Sequence, residues 1–304
     1  MKSQTLMKAT VYDRKEQMPE RFLESLRQMP LPTTMLMCPP EYFDVIDVKN
    51  PHMEGNVGSV DTTKARQQWE EVRSAFIASG ASVELINPEP GREDMVFCAN
   101  QTFVGLDANN EKLCLLSQMK HPSRQAEVEA FSKWFAANGY RVENVPIKVG
   151  FEGSGDAIWH PGRALVWGGC GFRTQPEVYE HISEFFGVPV IRLPLRSDRF
   201  YHLDTCFCAI DEGTVLIHAD SLTPEGIDMI RSVFANVIEC DANEANDGMA
   251  CNATAIGGKH VVIQKGSPKV VGTLRDLGYT VHEVETSEYL KSGGSVFCMK
   301  MYVF

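Results

Sequence analysis

"FAANGYRVENVP", residues 135–146, carries an amphipathic helix up to a glycine and then begins an apolar strand. The phrase returns as "FIASGASVELINP" at 76–88, "FFGVPVIRLPL" at 185–195, "VFANVIECD" at 233–241 and "LRDLGYTVHEVE" at 274–285. The residue just past a helix commonly takes the left-handed conformation, which glycine adopts at low cost and asparagine next best. The five stops are thus Gly80, Gly139, Gly187, Asn236 and Gly278, at steps of 59, 48, 49 and 42 residues. Self-similarity near fifty residues points to a repeat architecture. Hairpin-like stretches such as "ALVWGGCGF" (164–172) and "GTVLIHADSL" (213–222) precede the helices, so each unit reads as two or three short strands with one helix. Strands mixed regularly with helices make an α/β protein. Five units closing radially would form a five-bladed α/β propeller around a central channel. The plainer alternative is an open sheet of ordinary α/β units.

Bulk properties narrow the function. A chain of 304 residues, 43% hydrophobic and 23% charged, is long enough for a sizeable core. Its net charge of −11 argues against nucleic acid, which demands clustered Lys and Arg, and mildly favours a cationic ligand. No apolar run reaches the roughly 18 residues of a membrane span, and "MKSQTLMKATVYDRKEQMPE" has neither a hydrophobic nor a transit-peptide pattern. A cytoplasmic location is expected. Nine cysteines, an odd number without dense spacing, read as reduced thiols rather than disulfides. Cys206 and Cys208 are expected to point together into the core, and no Cys/His spacing suggests a metal site. Residues 1–33 precede the first repeat strand and are expected as an N-terminal extension, either an outer helix or a contact between copies of a homo-oligomer. Residues 34–304 are expected as a single domain.

After each helix–Gly–strand phrase comes a polar loop. The loops are "GREDMVFCAN" (91–100), "GFEGSGDAIWH" (150–160), "DRFYHLDTCFC" (198–208), "EANDGMACNAT" (244–254) and "SGGSVFCMK" (292–300). In pseudo-symmetric units, equal phase means equal radius. These loops should therefore bring Asp94, Asn100, Glu152, Asp156, His202, Asp204 and Cys298 into one cavity. Taken singly, each has a bland reading: Cys298 as core filler, His202 as a satisfied core histidine, Asp94 and Asn100 as turn formers. The shared phase carries the inference.

A thiol, an imidazole and several carboxylates in one pit suit nucleophilic catalysis on a cation. The thiolate attacks, and a cationic substrate or a neighbouring imidazolium favours it. Carboxylates match the fork of N–H donors on a guanidinium group. His202 can protonate departing ammonia, and Asp204, two residues on, shares its side of a strand.

The motifs "EDMVFCAN", "FEGSGDA", "GFRT", "FYHLDTCFC" and "GGSVFC" resemble those of the guanidine-modifying superfamily of arginine deiminase, dimethylarginine dimethylaminohydrolase and glycine amidinotransferase. They occur in the family order and cover the chain from about Thr34 onward. With "MCPPEYFDV" and "NPHMEGN", the resemblance is closer to the arginine dihydrolase branch. It implies the five-bladed propeller, or pentein, with no cofactor. It also implies Cys298 as nucleophile, His202 as general acid and base, and Glu152 and Asp204 as guanidinium holders. Asn56 and Arg173 would bind the amino-acid end, while Asp94 and Asp156 support the site. Two positions depart from the pattern. Deiminases and dimethylaminohydrolases place Asp where this chain has Asn100, and an amide can donate to a neutral ureido oxygen where a carboxylate cannot. Retention of that product would permit a second hydrolysis, from arginine to ornithine, carbon dioxide and two ammonia. Relatives also often carry Arg at the position of Gln118. Deiminase, dimethylargininase, citrulline hydrolase and amidinotransferase activities remain open alternatives, as does a non-catalytic binding propeller.

Overall fold

Four of the five helix stops take the left-handed conformation in the computed structural model, which describes residues 10–304. Gly80, Gly139, Gly187 and Gly278 have φ of 89°, 83°, 65° and 92°. Asn236 does not. Helix Pro224–Val233 ends instead at Phe234, whose φ of −93° and ψ of 132° turn the chain straight into an extended path, and Asn236 opens the following strand. No left-handed residue is needed where the helix end already aims along the strand.

Five sheets share one connectivity. In each, a first strand pairs antiparallel with a second, a helix follows, and a third strand returns parallel to the second. Four are continuous in sequence. Thr102–Leu106, Lys112–Leu116 and Arg141–Asn144 flank helix Val128–Ala137. Ala157–Trp159, Val166–Cys170 and Val190–Pro194 flank Val178–Phe186. Phe207–Ala209, Thr214–Ile217 and Asn236–Glu239 flank Pro224–Val233. Thr254–Ile256, His260–Gln264 and Thr280–Val284 flank Pro268–Asp276. The fifth joins the chain ends: Met301–Val303 lies antiparallel to Thr34–Met37, which pairs with Ser82–Leu85 after helix Thr62–Ala78.

Burial follows strand position. The middle strand Val166–Cys170 is buried along its whole length, as a strand covered on both faces requires. The third strands, such as Ser82–Leu85 and Arg141–Asn144, are largely exposed and carry Glu84 and Glu143, charges that discourage edge-to-edge pairing. Each helix packs an apolar stripe on its sheet, Trp69, Val72 and Phe76 in the first. All nine cysteines are free and buried, and Cys206 and Cys208 share one core cluster.

From residue 10 to 33 the chain contains a two-residue strand, Val11–Tyr12, parallel to Val190–Pro194, and the short helix Phe22–Ser25. The expected outer helix is therefore a single turn, and the segment also adds a fourth strand to one sheet. Among the described residues no helix is long and apolar enough to cross a membrane.

Candidate active site

The terminal loop explains its own glycine pair. Gly293 has φ of 77°, a conformation other residues adopt only with strain. A Cβ on Gly294 would sit 2.5 Å from the Phe97 ring. The turn thus presses against the "GREDMVFCAN" loop and presents Cys298 to a small pit shared with Asp94, Asn100 and His202.

Cys298 donates its S–H to Asp204 Oδ2 at 3.2 Å, and Asn252 Nδ2 donates to the sulfur at 3.2 Å. Burial and the adjacent Asp204 carboxylate push the Cys298 thiol well above its ordinary range. Burial likewise pushes Asp204 up to about 7, against the opposing pulls of the Cys298 S–H and the Lys300 amine. The unliganded pair therefore favours the protonated thiol, and a cation entering beside it shifts both groups toward their anions.

His202 is oriented from behind. Its Nε2–H donates to Glu152 Oε2 at 2.7 Å, because a carboxylate can only accept, and this leaves Nδ1 facing the Asn100 amide 3.5 Å away. Glu152 Oε2 also takes a bond from Arg173 Nη1 at 2.8 Å, and Oε1 takes the Lys120 N–H at 3.0 Å. Burial alone would raise Glu152, but the Arg173 guanidinium and the His202 ring outweigh it and hold the carboxyl well below the usual range. Glu152, expected to hold the guanidinium, here accepts from His202, Arg173 and the Lys120 N–H, so in this geometry it orients the His202 ring. Asp156 stands further back. Its Oδ1 accepts Leu203 N–H at 3.0 Å, and Oδ2 lies 4.0 Å from His202 Nε2.

Asn100 is locked in one orientation. Arg124 Nη1 donates to its Oδ1 at 3.0 Å, so the NH2 group must face His202. Arg124 is buried and paired with Glu127 at 3.1 Å. Lys49 bridges Glu93 at 2.8 Å and Asp94 at 3.1 Å, and Ser292 donates to Asp94 Oδ1 at 3.3 Å. Arg173 lines the pit over the Tyr201 ring while donating to the Lys49 carbonyl at 2.9 Å.

One sequence reading moves. Asn56 lies outside the pit, half-exposed, with its amide donated to the His52 carbonyl at 2.8 Å. Asn50, six residues earlier in "NPHMEGN", lines the pit instead, its Nδ2 donating to the Ser292 carbonyl at 3.0 Å. Gln118 gives its Nε2 hydrogens to the Val145 and Ile147 carbonyls and does not reach the pit. Lys49, Arg124, Asn252 and Lys300 were absent from the sequence reading. Asn252 and Lys300 had a signal there, since both sit in polar loops that share the repeat phase.

A model of the family "N,N dimethylarginine dimethylhydrolase, eukaryotic" matches residues 45–304. The chain belongs to this family. Similar relatives include the bifunctional arginine dihydrolase/ornithine cyclodeaminase AgrE of Nostoc sp., 34% identical over 88% of this chain and 37% of the relative. The N(G),N(G)-dimethylarginine dimethylaminohydrolase of Mycobacterium tuberculosis is 31% identical over 91% of this chain and 88% of the relative. The chain therefore spans little more than a third of the bifunctional cyanobacterial relative. Among solved structures, the substrate-bound N-terminal domain of ArgZ, a cyanobacterial arginine dihydrolase of the ornithine–ammonia cycle, was solved with a cysteine replaced by serine. It superposes with a TM-score of 0.84 at 32% identity, over 89% of this chain and 97% of that one. The Pseudomonas aeruginosa dimethylarginine hydrolase has the same α/β pentein fold, with a TM-score of 0.74 at 22% identity over 90% of this chain and all of that one.

Proposed function

We propose that this protein is a cysteine-dependent hydrolase of the guanidino group of arginine, taking it to ornithine, carbon dioxide and two ammonia. One observation carries the reading. The pit holding Cys298, with Asp204 behind the sulfur and His202 held by Glu152, also presents the NH2 edge of Asn100 because Arg124 occupies its oxygen. The activities named for AgrE and ArgZ agree with it.

Arginine would enter as a cation, with its guanidinium against the Asp204 carboxylate and its α-carbon groups near Asn50 and Arg173. As the cation binds, the Cys298 proton passes to His202 Nδ1, and the thiolate attacks the guanidinium carbon. His202 hands a proton to the leaving ammonia, which departs and leaves an amidino thioester cation on the sulfur. Water, relieved of a proton by His202, adds to that carbon, and collapse expels the thiolate and forms citrulline. A carboxylate at the Asn100 position would present only lone pairs to the ureido oxygen. The amide donates to it, so citrulline stays for a second attack. That attack releases the second ammonia and leaves a thiocarbamate. Water converts this to a carbamic acid, which loses carbon dioxide to give ornithine. Lys49, Glu93 and Asp94 would hold the wall on which the substrate chain lies. No cofactor enters this scheme.

The family match favours a second reading, release of dimethylamine from dimethylarginine. Purified protein incubated in parallel with arginine, citrulline, dimethylarginine and agmatine, read by mass spectrometry, separates the two. Ornithine from arginine is expected, and stoichiometric citrulline without ornithine would reject the two-step scheme. Cys298→Ser should lose at least a thousandfold in turnover with an unchanged circular dichroism spectrum.

The same proposal takes the five sheets as blades closed radially about the pit, residues 34–304 as one catalytic domain and residues 1–33 as its N-terminal extension. The same three-strand order within all five sheets and the pairing of Met301–Val303 with Thr34–Met37 support closure. Nine unpaired thiols support a reducing, cytoplasmic location.

A further inference from the structure

Asn252 sits in "EANDGMACNAT", the polar loop from which no site residue was expected, and it is 1% exposed. Every polar atom of its side chain is used on the catalytic sulfur or the loops that flank it. Oδ1 accepts from Ser295 N at 3.0 Å and Cys298 N at 3.3 Å. Nδ2 donates to the Asp204 carbonyl at 2.9 Å and to Cys298 Sγ at 3.2 Å. The main chain adds Phe297 N–H to the Asn252 carbonyl at 2.9 Å. Three residues earlier Met249 is held at φ of 43°, a left-handed conformation unusual for a side chain of its size. One carboxamide therefore joins the nucleophile's loop to the Asp204 loop.

We infer that Asn252 is a positioning residue that sets the reactivity of Cys298, fixing the sulfur against Asp204 and donating an N–H that strengthens when the sulfur becomes an anion. The inference rests on the proposed role of Cys298 as nucleophile. The geometry assigns the donor without ambiguity: Oδ1 faces two backbone N–H groups, so the NH2 edge must face the sulfur. A hydrogen bond to an ion is about twice as strong as one to a neutral group, so this contact favours thiolate over thiol.

Other charges act on the same sulfur. Asp204 opposes ionisation, and from the nucleophile's own loop Lys300 favours it. Its Nζ is buried without a hydrogen-bond partner, 3.2 Å from the Phe297 ring centre and 3.9 Å from that of Tyr302. The pit is also lined by His202, Tyr201, Arg124, Lys49, Asp94 and Arg173. Among the hydrogen bonds to the sulfur, the Ser295 backbone N–H and the Asn252 amide favour the anion, and Asn252 is the side chain among them.

The test measures the thiol directly. The parent and the Asn252→Ser and Asn252→Asp variants are alkylated with iodoacetamide from pH 8 to 12, and labelling of the Cys298 peptide is quantified by mass spectrometry. Loss of one charge-assisted hydrogen bond should move the labelling midpoint of Asn252→Ser upward by about one to two pH units. Asn252→Asp retains the acceptor that holds the loop and so separates loop-holding from N–H donation; its midpoint should move at least as far with little change in Tm. Arginine kcat should fall at least tenfold in both variants while KM changes little. If folded Asn252→Ser titrates at the parent midpoint, the inference is overturned. A parent that labels normally yet leaves arginine intact would instead sink the functional proposal and leave the assignment of Asn252 standing.

Discussion

Cys298 and Asp204 are paired through one proton, and the pH dependence of the proposed reaction follows from that. Asp204 is pushed up to about 7 from an ordinary 3.8, so in the free protein it loses its negative charge as pH falls through neutrality. A neutral carboxyl no longer holds guanidinium. kcat/KM for arginine should therefore drop about tenfold per pH unit on the acid side of about 7, as initial rates from pH 5.5 to 8.5 would reveal. Glu152 behaves oppositely. Its carboxyl is depressed, so its contribution to stability is complete above the ordinary 4.5 and declines only as pH falls below that value. The Tm gap between parent and Glu152→Gln should accordingly be constant from pH 8 to about 5 and narrow beneath it. In the proposed reaction, Asn100 sets the product. Asn100→Asp should release citrulline as the main product, with ornithine falling at least tenfold; unchanged ornithine yield would show that the amide edge is irrelevant. That Cys298 and His202 line one pit, with Asp204 against the sulfur, was legible from loop phase. Lys49 and Arg124 were not, because each arrives from outside the repeating loops and is recognisable only by what it touches.

At the scale of elements, two kinds of glycine separate. Gly80, Gly139, Gly187 and Gly278 end helices in left-handed conformations with open space where a Cβ would go. Alanine there should cost about 1 kcal/mol each in urea unfolding and leave activity intact, since only backbone strain is added. Gly155 differs: a Cβ would lie 2.4 Å from Asn100 Nδ2. Gly155→Ala should displace that amide and lower ornithine formation at least tenfold, with a smaller effect on Tm than on rate. Helix-end glycines could be read from sequence because their cause is local. The role of Gly155 could not, because the atom it makes room for lies fifty-five residues away in the chain.

For the molecule as a whole, the decisive contact joins its two ends. Met301–Val303 completes the sheet begun by Thr34–Met37, and the loop before it carries Cys298. Tyr140 reinforces the join, its hydroxyl donating to the Phe304 carbonyl at 3.0 Å and accepting the Phe304 N–H at 2.8 Å. Deleting residues 301–304 should lower Tm and abolish turnover together, as parallel melting and activity curves would show. Tyr140→Phe should cost about 1–2 kcal/mol while sparing most activity, because it leaves the strand pairing in place.

The sequence by itself determined the α/β class, the repeat near fifty residues and the loops that hold Cys298, His202 and Asn100. Each of these follows from periodicity or from a residue's own conformational preference. Tertiary structure alone decided that Asn50 rather than Asn56 lines the pit, that Glu152 holds His202, and that Asn252 joins the nucleophile to Asp204. It also decided which edge of Asn100 faces the reacting centre. Those outcomes depend on which polar groups meet once burial removes water as a partner. A hydrogen bond between residues tens to hundreds of positions apart leaves no periodic trace in the chain that makes it.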